Sequence, residues 1–263
     1  MLMTTMDNRT SPLLSERILY LLNENTELEN ELRNLEKSKL PLDDNIWRKI
    51  RDNFVSILLE DYASSVKLEV ELFLWQLHYR KIVRFRVHVP CNIRLDGSTL
   101  PEAGESIIQS DRVGKMRDSF NFFLSEATDF YLKLLEKIRS KFQLPIGYIL
   151  EYQFVSGNDK MSAQLKKVLF SCHQCLIYLG DLARYKLLYD MEPSGSQHEV
   201  ASSYYTQANS IWPFSGNPHH QLAILSSYSD DMLNGVYRYF RSLAVEVPFS
   251  TARDNLIMLF EKI

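Results

Sequence analysis

Apolar residues recur at helical spacing along most of the chain, and the pattern predicts helices. Between Leu14 and Leu35 the apolar positions alternate at steps of four and three if Asn25 is counted as a core position. This seam predicts either a dimerising coiled coil or a first helix packed antiparallel on its neighbour. Pro41 should end that helix, because proline has no N–H to donate. A second amphipathic helix is expected from about Asp44 to Tyr62.

The segment from Val66 to Val89 carries two periodicities. Its end alternates apolar and basic residues, which is typical of a strand, whereas its beginning places apolar residues at steps of four and three. A helix accommodates both halves, so we predict a helix. Its basic residues line up one turn apart and form either a solvated, ion-paired face or an anion-binding one; they are Arg80, Arg84 and His88, with Lys81 adjacent.

The remaining pattern predicts helices around residues 120–138, 165–182, 201–212, 220–225, 231–247 and 250–263. The helix over 231–247 is expected to bury Leu233, Val236, Tyr237, Phe240, Leu243 and Ala244. Because the last segment stops in mid-pattern, a partner helix is expected beyond Ile263. The prediction is an all-α chain of about nine antiparallel helices, with a disordered amino terminus over 1–12 and one helical domain over 13–263.

A repeat signature lies between Cys172 and Leu225. Leu176, Leu179 and Gly180 fit the first helix of a tetratricopeptide pair, and Ala201, Tyr205, Ala208 and Pro213 follow at the template's steps of four, three and five. Small residues that alternate with an aromatic one let two helices approach closely. We therefore predict a tetratricopeptide-like pair whose connection, Asp190 to Ser196, is an insertion.

Composition, charge and the absence of certain motifs disfavour several classes of function. The net charge of −3 disfavours nucleic-acid binding through bulk charge, although a local basic patch is compatible with it. Cys172-His-Gln-Cys175 has no second pair, so we expect buried cysteines and not a zinc site. Nucleophile elbows and phosphate-cradling glycine loops are absent from the sequence, and no apolar run reaches membrane length. We expect no enzyme, no cofactor, no metal and no membrane partner.

Five further motifs carry a family resemblance. They are Leu176-Ile-Tyr-Leu-Gly-Asp-Leu-Ala-Arg-Tyr185, Tyr204-Tyr-Thr-Gln-Ala208, Gly216-Asn-Pro218, Gln221-Leu-Ala223 and Tyr239-Phe-Arg-Ser-Leu-Ala244. From about Trp47 onward the chain resembles the Est/SMG family of nonsense-mediated mRNA decay adaptors and telomerase-associated factors, and Leu74-Trp-Gln-Leu-His-Tyr79 resembles its plant branch. The resemblance implies a 14-3-3-like fold with tetratricopeptide-like helices, an α-α superhelix. It also implies binding to phosphoserine or phosphothreonine peptides of the UPF helicase.

The resemblance also implies which residues bind the phosphate. They are Arg80, which follows the Leu-Trp motif, and Arg184 with Tyr185 beside it; Lys81 replaces Arg80 if the alignment shifts by one. Two cations from separate helices can hold a dianion through charge-assisted hydrogen bonds. Asp181, one turn before, could steady Arg184 or Tyr185 when no ligand is bound.

Two other functions remain open. The telomerase branch of the family implies single-stranded nucleic-acid binding through Arg84, Arg86 and an exposed aromatic such as Trp212. The seam from Leu14 to Leu35 would instead suit a dimerising scaffold. A homodimer, or a heterodimer with a related family member, fits either adaptor or scaffold. The expected location is the cytoplasm, with shuttling to the nucleus left open.

Overall fold

The computed structural model describes residues 14–37, 44–91, 107–144, 163–189 and 196–261. Expectations for the amino terminus, for Pro41 and for the connections after Pro90, Pro145 and Asp190 fall outside these ranges. The described part contains ten helices and no strand, only an isolated bridge between Ser215 and Val247. The helices are α1 (Glu16–Lys37), α2 (Asp44–Glu60), α3 (Tyr62–Lys67), α4 (Val70–His88), α5 (Ile107–Lys141), α6 (Ala163–Tyr189), α7 (Ser196–Ile211), α8 (Asn217–Tyr228), α9 (Met232–Leu243) and α10 (Ala252–Phe260).

The chain divides into two compact units, and the division falls after Leu77, inside α4. In the first unit the apolar seam of α1 packs on α2. Asn25, which is 1% exposed, accepts a hydrogen bond from Nδ2 of Asn53 at 2.9 Å and donates one to the carbonyl of Ile50 at 3.4 Å. Because α2 of the same chain covers the seam, the interpretation of a packed first helix is confirmed over that of a dimerising coiled coil.

Helix α3 is the one helix that the sequence pattern did not predict, and local backbone features separate it from α2 and α4. The carboxylate of Asp61 accepts a hydrogen bond from the backbone N–H of Ser64 at 3.0 Å and so caps α3. Bonds to Ser64 lower the pKa of this carboxyl group. Glu69 then adopts a left-handed conformation, φ 53°, which breaks the chain before α4. The sequence pattern did not resolve these two breaks, which explains the count of nine.

The segment with two periodicities, from Val66 to Val89, is helical as predicted, apart from the break at Glu69. In the second unit His78, Ile82 and Val89 face inward at steps of four and seven, while Val87 is 74% exposed. The alternation of apolar and basic residues therefore does not correspond to two faces of a strand. The ring of Phe85 stacks on Phe120 of α5, with centroids 4.9 Å apart.

Helices α6 and α7 form the predicted pair. A Cβ at Gly180 would lie 2.4 Å from the ring of Tyr205, so the two helices are as close as glycine allows. Ala201 and Ala208 are fully buried on either side of that ring, and the prediction of a tetratricopeptide-like pair is confirmed in its packing. Cys172 and Cys175 are both buried free thiols, as expected of small apolar residues.

Helices α8, α9 and α10 follow in the same stack. The turn before α8 is fixed to the segment after α9, because Gly216 N–H donates to the carbonyl of Val247 at 2.9 Å. Val247 N–H in turn donates to the carbonyl of Phe214 at 2.9 Å. The hydroxyl of Ser242, on α9, donates to the carbonyl of Gly216 at 2.7 Å. These bonds hold the turn against α9.

The prediction for α9 is wrong in part. Leu233, Tyr237 and Phe240, which were expected inside, are 83%, 55% and 54% exposed. Ala244, also expected inside, is exposed as well. Gly235 and Ser242 lie on the buried face instead. The physical reason is close packing: a Cβ at Gly235 would lie 3.3 Å from Leu259 of α10. Apolar periodicity locates an apolar face but does not say whether a neighbour covers it. We call Leu233, Tyr237 and Phe240 the α9 stripe.

Among the described residues, no helix combines the length and the apolar character that crossing a membrane requires.

Candidate functional site

Two arginines from different helices of the second unit meet at one aromatic ring. The guanidinium carbon of Arg184 lies 4.9 Å from the ring centroid of Tyr185, and that of Arg86, on α4, lies 5.5 Å from the same centroid. The two guanidinium groups are therefore at most about 10 Å apart.

The position of Arg184 is set by a buried network. Its Nη2 donates to Oδ1 of Asp181 at 3.2 Å, and its Nε donates to the hydroxyl of Tyr205 at 3.3 Å. That hydroxyl donates to the same Oδ1 at 2.7 Å, which closes a triangle of three side chains from α6 and α7. The side chains of Arg184 and Asp181 are only 13% and 12% exposed. The network holds the arginine without a ligand, the role expected of Asp181.

Burial and charge shift the pKa values in this network. Burial raises the pKa of the Asp181 carboxyl, an effect that Arg184 and the Tyr205 hydroxyl oppose. Burial acts to lower the pKa of Arg184, but Tyr205 and Asp181 outweigh it and raise the net value well above the usual range. Burial also raises the pKa of Tyr185 to about 12. Arg184 therefore stays charged and Tyr185 keeps its proton at neutral pH.

Arg86 is held differently, because its side chain is exposed. Its Nε donates to the hydroxyl of Tyr189 at 3.0 Å, and Tyr189 packs edge-on against Phe120 with centroids 5.3 Å apart. Tyr185 and Tyr189 are four residues apart on α6, so both present to the same side of that helix. Two tyrosines of α6 thus orient a guanidinium group of α4 that retains access to solvent.

The other predicted site residues occupy different positions around α4. Arg80 is exposed and precedes Arg86 by six residues, which turns it about 120° around the helix. Lys81 lies over the ring of Phe123 on α5, with Nζ 4.9 Å from the centroid. The structure brings Arg184 and Tyr185 together with Arg86. The roles of Arg80 and Lys81 stay predictions.

Arg86 was named in the sequence only as part of a basic stripe or as a nucleic-acid contact. One feature of the sequence could have indicated Arg86 as a site residue. Tyr79 and Arg86 are seven residues apart, so a tyrosine and an arginine lie on one side of α4. That spacing does not identify Tyr185 as the neighbour, because the contact depends on how α4 and α6 pack within the unit.

His220 borders the site from α8. Its ring lies 4.3 Å from that of Phe249 and meets Tyr239 edge-on at 5.6 Å. Burial lowers the pKa of His220 to about 4, and the charge of Arg184 acts in the same direction. The imidazole of His220 is therefore neutral at pH 7.

Comparisons with known proteins agree with this architecture. A family model described as "Telomerase activating protein Est1" matches residues 69–190, and one described as "Est1 DNA/RNA binding domain" matches residues 201–263. The chain is 45% identical over its whole length to "Nonsense-mediated mRNA decay factor SMG7" of Arabidopsis thaliana. It is 30% identical over 78% of its length to "Telomerase-binding protein EST1A" of Danio rerio, of which it covers 12%.

A solved structure shows the same fold. The "Structure of the C. elegans SMG5-SMG7 complex" matches 91% of this chain and 53% of that chain, with a TM-score of 0.54 and 19% identity. The 14-3-3-like, all-α fold class predicted from the sequence is confirmed. The molecule is thus an all-α protein built on tetratricopeptide-like pairs.

The relatives identify one family within that fold class. The chain belongs to the Est/SMG family, as the resemblance indicated. It spans 25% of the Arabidopsis SMG7 relative.

Proposed function

We propose that this chain is an adaptor that binds phosphoserine or phosphothreonine peptides in nonsense-mediated mRNA decay. The observation that carries the proposal is the convergence of Arg86 and Arg184 on the ring of Tyr185. A phosphate between them would accept charge-assisted hydrogen bonds from two guanidinium groups, the geometry that suits a tetrahedral dianion.

The charges at the site explain why phosphate is the preferred ligand. At about 5 Å and an effective dielectric constant of about 20, each pair of unit charges contributes roughly 3 kcal/mol before desolvation. A phosphorylated residue carries about −1.5 to −2 charges at pH 7, so it gains more from the site than a carboxylate does. An unmodified serine carries no charge and gains none of this energy.

Arg80 is a further candidate for the phosphate. Asp181 is ion-paired with Arg184. Arg80 is exposed on α4 and is the residue that the resemblance assigns to the phosphate. Lys81 is the alternative if Arg80 has no effect.

Fluorescence polarisation with a phosphoserine peptide of the UPF helicase and its unmodified twin tests the proposal. We expect the phosphopeptide alone to bind, and Arg184→Ala and Arg86→Ala each to weaken it at least about tenfold, as loss of a charged hydrogen bond requires. Arg253→Ala, which removes an exposed arginine from α10, is the matched control. Equal affinity for both peptides would reject the proposal, and equal effects of all three substitutions would reject the assigned site.

The relatives' names support one of the proposed partners, a related family member, and the resemblance suggests the other, phosphorylated UPF helicase. SMG7 of Arabidopsis is named as a decay factor, and the similar solved structure is a complex of SMG5 with SMG7. On this support the adaptor would join phosphorylated UPF helicase to a related family member, in the cytoplasm, without catalysing a reaction. Co-purification of such a relative, with and without the phosphopeptide, separates the two interactions.

Single-stranded nucleic-acid binding is the second candidate, because the model matching residues 201–263 is described as a DNA/RNA binding domain. Binding through backbone charge would weaken steeply as salt is raised. The net charge of −3 gives this candidate less support. A salt titration with a short single-stranded RNA tests it: no binding at low salt would remove it.

A further inference from the structure

Helix α4 carries an exposed apolar stripe beside the arginine site. Tyr79, Val83 and Val87 follow one another at steps of four residues, so they lie along one side of the helix. Their side chains are 38%, 39% and 74% exposed. All three residues belong to the second unit, as Arg86 does. We call Tyr79, Val83 and Val87 the α4 stripe.

Tyr79 connects the α4 stripe to the arginine site. It precedes Arg86 by seven residues and is only about 20° from it around the helix. Tyr79 also affects the pKa of Arg86. Partial burial of the guanidinium group acts to lower that pKa, but the hydrogen bond to Tyr189 and the nearby hydroxyl groups of Tyr185 and Tyr79 outweigh burial and raise it. Tyr79 therefore faces the same guanidinium group as the two tyrosines of α6.

Of the two helices around Arg86, α4 presents the more accessible surface. On α6, Tyr185 and Tyr189 are each only 5% exposed. Val87 is about 100° from Arg86 around α4, and the other two residues of the α4 stripe fill the arc between them. Both of those residues are more than a third exposed. A peptide that leaves Arg86 over α4 therefore crosses exposed apolar side chains and no buried ones.

We propose that the α4 stripe binds an apolar side chain of the phosphopeptide whose phosphate lies at Arg86 and Arg184. The inference rests on the proposed function. On a helix about 10–12 Å wide, Val83 and Val87 lie roughly 7 Å and 9 Å from Arg86. An extended chain advances about 3.3 Å per residue, so the apolar side chain is about two or three positions from the phosphorylated one. The site thus recognises a phosphorylated residue and a nearby apolar one together.

A peptide fits the α4 stripe better than a nucleic acid or a second copy of this chain does. Phosphate binding already holds one residue of the peptide at Arg86, so its neighbours cover the stripe at a small further cost in entropy. Nucleic-acid bases stack on flat rings, whereas two of the three stripe residues are valines. Two copies that paired through the stripe would bring the arginines of α4 towards each other, and like charges repel.

The test is a panel of synthetic peptides, each with one phosphoserine in a serine-glycine chain and one leucine placed one to six positions away on either side. Titration calorimetry measures their affinities for the protein and for Val83→Ser and Val87→Ser. Val200→Ser, on α7, is the matched control, because Val200 is 39% exposed, as Val83 is. Circular dichroism checks that each variant is folded.

We expect a leucine about two or three positions from the phosphoserine, on one side, to raise affinity about tenfold over the peptide without leucine. Val83→Ser and Val87→Ser should remove most of this gain and retain binding of the plain phosphopeptide, whereas Val200→Ser should preserve both. Val87→Arg should favour glutamate over leucine at the same peptide position, because it replaces an apolar contact with a cation.

The outcomes separate this inference from the proposed function. A plain phosphopeptide that binds while leucine gives no gain at any position would overturn the inference and leave the proposed function intact. If no phosphopeptide binds, the proposed function fails and this inference fails with it. A gain that Val200→Ser removes as fully as Val83→Ser does would also overturn it.

Sedimentation and an oligonucleotide titration identify the other occupants of the α4 stripe. A dimer that Val87→Ser dissociates, with no gain from leucine, would assign the stripe to self-association and overturn the inference. A single-stranded RNA whose affinity falls in Val83→Ser and Val87→Ser, again with no gain from leucine, would assign it to nucleic acid with the same result.

Discussion

The ring of Tyr205 covers Gly180 while its hydroxyl donates to Asp181 one residue further along the same helix, at 2.7 Å. One side chain therefore joins the packing of α6 on α7 to the orientation of Arg184. Repeat packing and ligand binding are coupled at this position, because the ring cannot move without the hydroxyl.

Tyr205→Phe separates those two roles. The phenylalanine ring still fills the space over Gly180, but the hydroxyl bonds to Asp181 and Arg184 are lost. We expect a stability loss of about 1–3 kcal/mol, as for a buried acceptor left without its donor, and weaker phosphopeptide binding. Urea unfolding and polarisation measure the two effects. Tyr204→Phe, on the half-exposed neighbour, is the control; a loss as large in that variant would contradict the assignment.

Gly180→Ala tests the close approach of the two helices. The added methyl group would lie 2.4 Å from the Tyr205 ring, so α6 and α7 must separate, at a cost of about 1–3 kcal/mol. Gly114→Ala provides the opposite case, because nothing lies within 4 Å of a Cβ at that position of α5. There we expect a gain of about 0.5–1 kcal/mol from higher helix propensity. Thermal unfolding that shifts both variants in one direction would contradict this account.

Three of the buried histidines in the described part of the chain predict sensitivity to acid. Burial is the main cause that lowers the pKa values of His173, His219 and His220 to about 4 each, and Arg238 and Arg241 add to the effect at His219. An unfolded histidine titrates near 6.5. The unfolded state therefore binds protons first, and stability present above about pH 6.5 is lost as pH falls towards 4.

Each histidine contributes a slope of up to about 1.4 kcal/mol per pH unit in that window. Urea unfolding at half-unit steps from pH 7 to 4.5 measures it. His173→Gln should flatten the profile, whereas His88→Gln, on an exposed residue, should leave it unchanged. A flat profile in the original chain would show that the histidines are not buried as neutral groups.

The pair Asn25 and Asn53 predicts a non-additive double substitution. Asn25→Leu removes the acceptor of a buried amide and should cost about 1–3 kcal/mol. Asn25→Leu with Asn53→Leu replaces both partners and should cost less than the sum of the single changes. A double-mutant cycle in urea measures the coupling, and sedimentation checks that no variant dimerises. Additive losses would show that the two amides are independent.

Much of the fold could be predicted because its causes are local in sequence. The approach of α6 to α7 is encoded by Gly180 and by the spacing of Ala201, Tyr205 and Ala208, so a template finds it. The break at Glu69 escaped prediction because a left-handed glutamate has no distinctive sequence signal. Local patterns thus identify helices and pairs better than they locate interruptions.

The site could be predicted only in the part that lies in one motif. Arg184, Tyr185 and Asp181 belong to a single turn region of α6, so their proximity follows from helical spacing. Arg86 reaches them from 98 residues away in sequence, across a contact that periodicity does not encode. The exposure of the α9 stripe was not predicted either, because the exposed fraction of a side chain depends on which other helices pack against it.

The α9 stripe has a practical consequence for anyone who handles this polypeptide. Three large apolar side chains on adjacent turns are exposed to solvent. Such patches bind hydrophobic dyes and resins, and they associate with other copies of the chain as its concentration rises. Light scattering of this chain should therefore increase faster than linearly with concentration. Leu233→Lys, at the most accessible of the three positions, should restore ideal behaviour without touching the arginine site.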